Sequence, residues 1–266
     1  MQHNEDGTAR GKNQEFNENA GNLGASQNKF TINHSFDRKN TTSAVIGRGY
    51  SITSFTDIQV TSDDYMVADL VQITVAGGFY AGVGVGLSVA VLYANAIATV
   101  EDGAILSAGG DILVQAVSRT SAIKKGEEDK NAKAADMVNA QAKDDQKISI
   151  LERSIRSIAM TGSGAAFAGV SATVAAVILI NNTRALMLGD IIRANKVTVL
   201  AKNDYPSVFA ATVAAAGGIA GVSASVVVIV NSGIVEASIG GAAQIRDTAA
   251  IEVKSDVNNH MTAIAV

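Results

Sequence analysis

The sequence predicts an all-β chain: a repetitive, β-helix-like solenoid with units of about 54 residues, with an elongated β-sandwich or β-roll as the alternative. Three observations carry this. The run "AGVSASVVVIV" (Ala220–Val230) has two near-twins, "AGVSATVAAVILI" from Ala168 and "AGVGVGLSVAVLY" from Ala81. A closing strand of the form I/V-x-V-x-A/S places Val60, Val114, Val199 and Val253 in equivalent positions, with equal first and last gaps and a longer middle one. The composition holds 25 Gly but 1 Pro, no Cys and no Trp, and Ala, Val and Ile make up most of the 47% hydrophobic content. A core of small and β-branched side chains suits pleated strands, and self-similarity at a fixed period is the mark of stacked architectures.

Residues 1–36 are polar and rich in Asn, Gly, Glu and Gln, a composition that favours loose order. Residues 37–123 form the first part of the repeat region and residues 154–266 the second. Between them, residues 124–153 are a charged insertion, nearly as long as the excess of the middle gap and suited to an exposed helix or a loop. Segments opening at Asn40, Asn95, Asn182 and Asn231 share one outline: Asn, a short apolar stretch, a Gly or acidic turn, a further short stretch and the closing strand. This gives three units preceded by a partial one. In "IEVKS", Ile251, Val253 and Ser255 alternate with Glu252 and Lys254, the half-buried strand pattern. "ISILERSIRSIAM" carries Leu151, Ile155 and Ile158 at helical spacing and Ile148 and Ile150 at strand spacing, and fits either.

The apolar runs have two faces. Val222, Ala224, Val226, Val228 and Val230 form one that is wholly apolar; Gly221, Ser223, Ser225, Val227 and Ile229 form the other. The same division recurs from Gly82 and from Gly169. The valine face is expected in the core, and the small face is expected to allow neighbouring sheets or coils to approach closely. Each unit would then hold two or three coils. Read as helices, Ala76–Tyr93, Gly162–Ile180 and Ala211–Val230 come near a membrane-spanning length. Their Gly and β-branched content and the missing Lys/Arg asymmetry oppose that reading.

No set of catalytic, cofactor-binding or metal-ligating residues emerges. His3, His34 and His260 lie in polar or terminal segments without zinc-ligand spacing. The pairs Asp63–Asp64, Glu101–Asp102 and Asp144–Asp145 are the carboxylates a carbohydrate-active β-helix enzyme would need, but turn chemistry accounts for the first two. "AGGDIL" (Ala108–Leu113) matches part of a calcium-binding nonapeptide, so calcium stays open as a ligand. "GVGVG" (Gly82–Gly86) has strict two-residue spacing and reads as a strand face, not a dinucleotide loop. Asn33–Ser35, Asn40–Thr42 and Asn181–Thr183 match the glycan acceptor pattern and are expected at turns. A net charge of -4 argues against nucleic acid.

The pattern carried by Ala168–Ala201 and Ala220–Ser255 resembles the repeats of very large bacterial exoproteins, the leukotoxin-like and filamentous-haemagglutinin-like adhesins and their autotransporter relatives. The resemblance covers about residues 40–266. It implies an exported, cell-surface or extracellular, non-enzymatic stalk or surface module. Its partners would be neighbouring repeats of a longer parent chain and a host-cell or matrix surface. The opening residues lack the apolar segment of a secretory leader, and the repeats favour a piece of a longer polypeptide. The alternatives are a membrane-inserting protein using its three apolar runs and a carbohydrate-active enzyme.

Overall fold

The computed structural model describes residues 36–120 and 155–266. Twelve strands and no helix occupy those residues: β1 (Phe36–Ile46), β2 (Ser51–Ser54), β3 (Ile58–Tyr65), β4 (Ala68–Gly78), β5 (Ala81–Val100), β6 (Ile105–Ala108), β7 (Ile112–Arg119), β8 (Ile155–Ala165), β9 (Ala168–Met187), β10 (Asp190–Gly217), β11 (Ala220–Ile239) and β12 (Thr248–Ala265). Every pairing between them is parallel. One sheet has the order β1-β5-β9-β11. The other is organised around the long strand β10. Its start joins the short ladder β2-β6, and its remainder lies between β7 and β8 on one side and β12 on the other. At ~3.3 Å per residue a 20-residue strand such as β5 reaches about 66 Å, so the sheets are long and narrow.

The registers measure the chain path. Phe36 pairs with Ala90, Ala81 with Ala168, and Ala168 with Ala220. In the second sheet Val60, Val114, Val199 and Val253, the four valines of the sequence ruler, are successive partners in one ladder. The paired residues Thr41 and Asn95 are 54 residues apart, and Thr173 and Ser225 are 52 residues apart. Where residues 120–154 intervene the return is longer: Asp69 and its partner Arg156 are separated by 87 residues. The chain therefore returns to the same ladder once in 52 to 54 residues outside the longer return, and the expected two or three coils in about 54 residues do not occur. The leading asparagines align less well. Asn95 pairs with Asn182, but Asn40 pairs with Ala94 and Asn231 with Leu179. A slip by an odd number of residues puts a side chain on the opposite face, so these asparagines do not share one environment.

The apolar runs open β5, β9 and β11. Their reading as membrane helices is overturned, and no helix among the described residues is long and apolar enough to cross a membrane. They are strands, but their faces are the reverse of those expected. In β5, Gly82, Gly84, Gly86, Ser88 and Ala90 are buried, whereas Val83 and Val85 are exposed. In β9, Gly169, Ser171, Thr173, Ala175 and Val177 are buried and Val170 is exposed. Val226, expected in the core, is 50% exposed. The reason is the narrow space between the sheets. A Cβ on Gly82 would lie 2.9 Å from the Gly164 carbonyl oxygen, and one on Gly84 2.6 Å from Thr161 Cγ2. At Gly169 it would collide with the Gly217 carbonyl oxygen. Only small residues fit there, so the large β-branched ones face outward. Further along the strands the space widens, and Leu92, Leu179, Val100 and Met187 fill it.

The insertion at residues 124–153 lies outside the described residues, but the places where the chain leaves and rejoins the sheet are defined. Arg119 pairs with Asp204 and Ile155 with Val208. Between these points β10 carries Tyr205, Pro206 and Ser207 and shifts register against β12. One circuit earlier, Met66 and Val67 separate β3 from β4. The excursion thus departs from a break that neighbouring circuits share. Ile155 and Ile158 belong to β8, whereas Ile148, Ile150 and Leu151 lie outside the described residues.

The reversed faces give a paired expectation. Val177→Asp, on the inner side of β9, should lower stability by about 4 kcal/mol, because it leaves an unpaired charge in the core. Val226→Asp, on the outer side of β11, should change it by about 0.5 kcal/mol. Thermal unfolding of the two variants measures the difference.

Candidate functional site

The interior contains a polar seam between two apolar clusters. One cluster includes Val60, Leu106, Val114, Met187 and Val199; the other includes Met66, Leu92, Ile155, Leu179 and Val208. Between them Asn203 of β10 donates from Nδ2 to Asn181 Oδ1 of β9 at 2.7 Å. Asn181 Nδ2 donates to Asn231 Oδ1 at 2.9 Å, and the Thr183 hydroxyl donates to Asn203 Oδ1 at 2.7 Å. Gly233 leaves the room that Asn181 needs, since a Cβ there would collide with Asn181 Oδ1. Each amide is satisfied by another residue of the chain, which is how buried polar groups avoid their desolvation cost. This seam ties the two sheets together. It also places the acceptor motif Asn181–Thr183 inside the protein, in the middle of β9 and not at the expected turn; Asn40–Thr42 likewise lies within β1. Asn33–Ser35 falls outside the described residues.

Asp64, Ser118 and Tyr205 extend the seam. All three are buried, and Ser118 shares a hydrogen bond with the Tyr205 hydroxyl. Burial pushes the Tyr205 hydroxyl up to about 12; the Ser118 hydrogen bond opposes the shift and the nearby Asp64 adds to it.

The turn carboxylates are engaged with neighbouring circuits. Asp57 Oδ1 accepts the Asp111 N–H at 2.8 Å, and Asp111 Oδ1 accepts from Asn195 Nδ2 at 3.1 Å, giving a corner ladder over three circuits. Glu101 Oε2 accepts the Arg48 N–H at 2.9 Å, and Asp190 Oδ1 accepts the Gln244 N–H at 2.8 Å. Asp111, the acidic residue of the calcium-like stretch, is therefore a rung of that ladder. Gly109 and Gly110 beside it leave no room for a Cβ, which would meet the Phe55 carbonyl oxygen and Asp57 Oδ1 of the preceding circuit. On the flat faces, Asp63 is held by Arg119 and Glu252 by Lys196. Lys202 holds the Asp204 carboxyl below its usual range, and Asn258 Nδ2 donates to it from the next circuit at 2.8 Å.

The paired carboxylates do not form a catalytic pair. Asp63 points outward and Asp64 inward, as strand alternation requires. Glu101 and Asp102 share a turn with Arg48. Asp144–Asp145, His3 and His34 lie outside the described residues, and His260 is exposed on β12. No group of three His, Cys, Asp or Glu that could hold a metal stands among the described residues. Gly82, Gly84 and Gly86 face the opposite sheet, as the strand-face reading requires.

Two surfaces stand out instead. The first is the end of the stack formed by β11 and β12. Val60, Val114 and Val199 are 5%, 0% and 0% exposed, but their partner Val253 is 47% exposed. Ile251 and Val257, whose partners Val197 and Asn203 are buried, are exposed with it. The second surface is the outer side of the first sheet. Its rows cross three circuits, for example Val83–Val170–Val222 and Leu87–Val174–Val226. Beside it the corner carries Tyr80 stacked on Phe167, with ring centroids 5.7 Å apart, and exposed Ile219. The sequence holds no Asp, Glu, Lys or Arg between Asp69 and Glu101, between Arg156 and Arg184, or between Asp204 and Glu236. In space the parts of those gaps in β5, β9 and β11 lie side by side, bordered at Val91–Tyr93 by Asp37, Arg38 and Lys39 of β1.

Comparison with protein-family models, with curated proteins and with solved structures returned no match.

The raised Tyr205 value predicts alkaline destabilisation. The folded state holds this proton above the unfolded value of about 10, so the stabilisation is complete below pH 10 and is lost as pH rises towards 12. Absorbance titration at alkaline pH should show one of the five tyrosines ionising late, and Tyr205→Phe should remove that component.

Proposed function

We propose that this chain is a non-catalytic structural module, a β-solenoid segment serving as stalk or surface in a large exported bacterial adhesin or leukotoxin-like protein. The observation that carries the reading is the ladder Val60–Val114–Val199–Val253, in which partners one circuit apart stack in register. Parallel pairing also favours a solenoid over the sandwich or roll, whose hairpins and Greek keys are antiparallel. Stacked units that bury each other's faces give length and stiffness without any catalytic centre.

Two further observations support a structural role. The corner carboxylates bind the backbone and side chains of adjoining circuits, which leaves them poorly placed for chemistry on a substrate. The β11–β12 end exposes core-facing residues and the unpaired edges of two long parallel strands, a surface shaped for a further circuit of the same kind. A neighbouring unit of a longer chain would cover it and remove the exposed edge. Affinity for a host-cell or matrix surface would reside on loops outside the ladders, with export placing the module outside the cell.

Two copies joined in tandem through the β11–β12 end test the reading by small-angle X-ray scattering. A continuous stack should lengthen the particle by about 19 Å along its axis, at ~4.8 Å per circuit for four circuits. Two separately tumbling bodies, or hydrolysis of a polysaccharide panel by the purified chain, would count against it.

A further inference from the structure

We infer that the outer valine face of β5, β9 and β11 is a self-association surface, on which a second copy of this chain packs sheet to sheet. The face is exposed at Val83, Val85, Val170 and alternate positions from Val222 to Val230, and half-buried at alternate positions from Leu87 to Val91 of β5 and at Val174 and Ile178 of β9, although its side chains are almost all Val, Leu, Ile and Ala. Val83, Val170 and Val222 stand in one row at its corner end, all exposed. Polar side chains begin at Tyr93 and Ser232, which both pair with Ile180, followed by Asn95 and Asn182 and then the Arg184–Glu236 ion pair at 3.5 Å. That boundary is the polar rim typical of an interface with an apolar centre.

The area suits this occupant. From Ala81 to Tyr93 the three strands present about 43 Å by about 14 Å, or roughly 600 Å², before side-chain relief and the Tyr80–Phe167 corner are counted. Two such faces reach the range of about 1,200 Å² at which specific interfaces begin. One such face lies at the upper end of the range of about 300–600 Å² for the largest apolar patch of a monomer, a size that is often functional. The shape suits it as well. β-Branched side chains on an in-register parallel sheet make rows that can interdigitate with an equivalent surface about 10 Å away. From Ala81 to Tyr93 and at the paired positions of β9 and β11 the three strands carry no charged residue; charge borders the face at β1, whose Asp37 and Lys39 pair with Val91 and Tyr93. A lipid bilayer is the other apolar environment available. It would leave the backbone edges of β11 and β12 without hydrogen-bond partners in hydrocarbon, a cost that a protein partner does not impose.

The surface is separate from the β11–β12 end, so this inference does not rest on the stalk reading. Sedimentation of the full chain at micromolar concentration tests it. The wild type should sediment as a dimer. Val85→Lys combined with Val170→Lys should weaken association by at least about 100-fold, because both lysines would be desolvated without partners. Its circular dichroism should match the wild type, since both positions point outward, and its unfolding temperature should fall only by the lost dimer linkage and, unlike that of the wild type, should not depend on concentration. If that double variant misfolds, Val222→Lys on the outermost strand replaces it, with the same expected loss. Val253→Lys, at the β11–β12 end, should remain dimeric, which separates this surface from end-to-end stacking. A monomeric wild type, a dimer that survives the folded lysine variants, or flotation of the wild type with phosphatidylcholine vesicles would overturn the inference.

Discussion

The close approach of two parallel sheets governs this structure. At Gly82, Gly84 and Gly169 the space between them is too small for a Cβ without displacement of the facing strand or side chain. A gap that narrow can be lined only by Gly, Ser, Thr and Ala. The chain has strands rich in valine and isoleucine, and these residues must then face outward. An apolar exterior is therefore the consequence of a small-residue interior.

Backbone pairing is what makes such an interior tenable. Small side chains bury little apolar area each, so the core contributes less per residue than one built of Leu and Phe. Hydrogen bonding runs continuously through parallel ladders instead, and the interior adds side-chain bonds at places where circuits meet. Asn181, Asn203 and Asn231 connect three strands in two sheets. Asp57, Asp111 and Asn195 connect three successive circuits at a corner of the second sheet. Both networks require each circuit to stop in the same register as the last, because a shifted circuit would leave buried amides unpaired. Register, corner chemistry and small-residue packing thus depend on one another.

Much of this was legible in the sequence. The four valines of the closing strand reported the ladder correctly, since a half-buried strand with alternating polar partners has only one consistent register. The excess spacing between Val114 and Val199 matches the longer return between those two partners in the ladder, and the Gly-rich spacing in "GVGVG" identified a strand face. Three things were not legible. Which face of an apolar run points inward depends on the separation between sheets, and both faces of β11 are hydrophobic enough to be core. The leading asparagines misaligned because the residues that pair with Asn95 and Asn182 are Thr41 and Ile234, one and three residues away from Asn40 and Asn231, and no alternating pattern at those positions marks the register. The number of coils per unit needed the pairing itself, because a sequence period does not say how often the chain turns within it. The charge-free gaps after Asp69, Arg156 and Asp204 were the readable signal for the outer apolar surface, and they acquire meaning only once stacked.

The claim that the small-residue face lies inside can be tested directly, because the chain contains no cysteine. Single cysteines at Val170, Val174, Ala175 and Val177 would be exposed to a maleimide under native conditions, at a concentration where the protein sediments as a monomer. The account predicts rapid labelling at 170 and 174 and protection at 175 and 177. Protection at 170 and 174 with rapid labelling at 175 and 177 would place the valines in the core and contradict it.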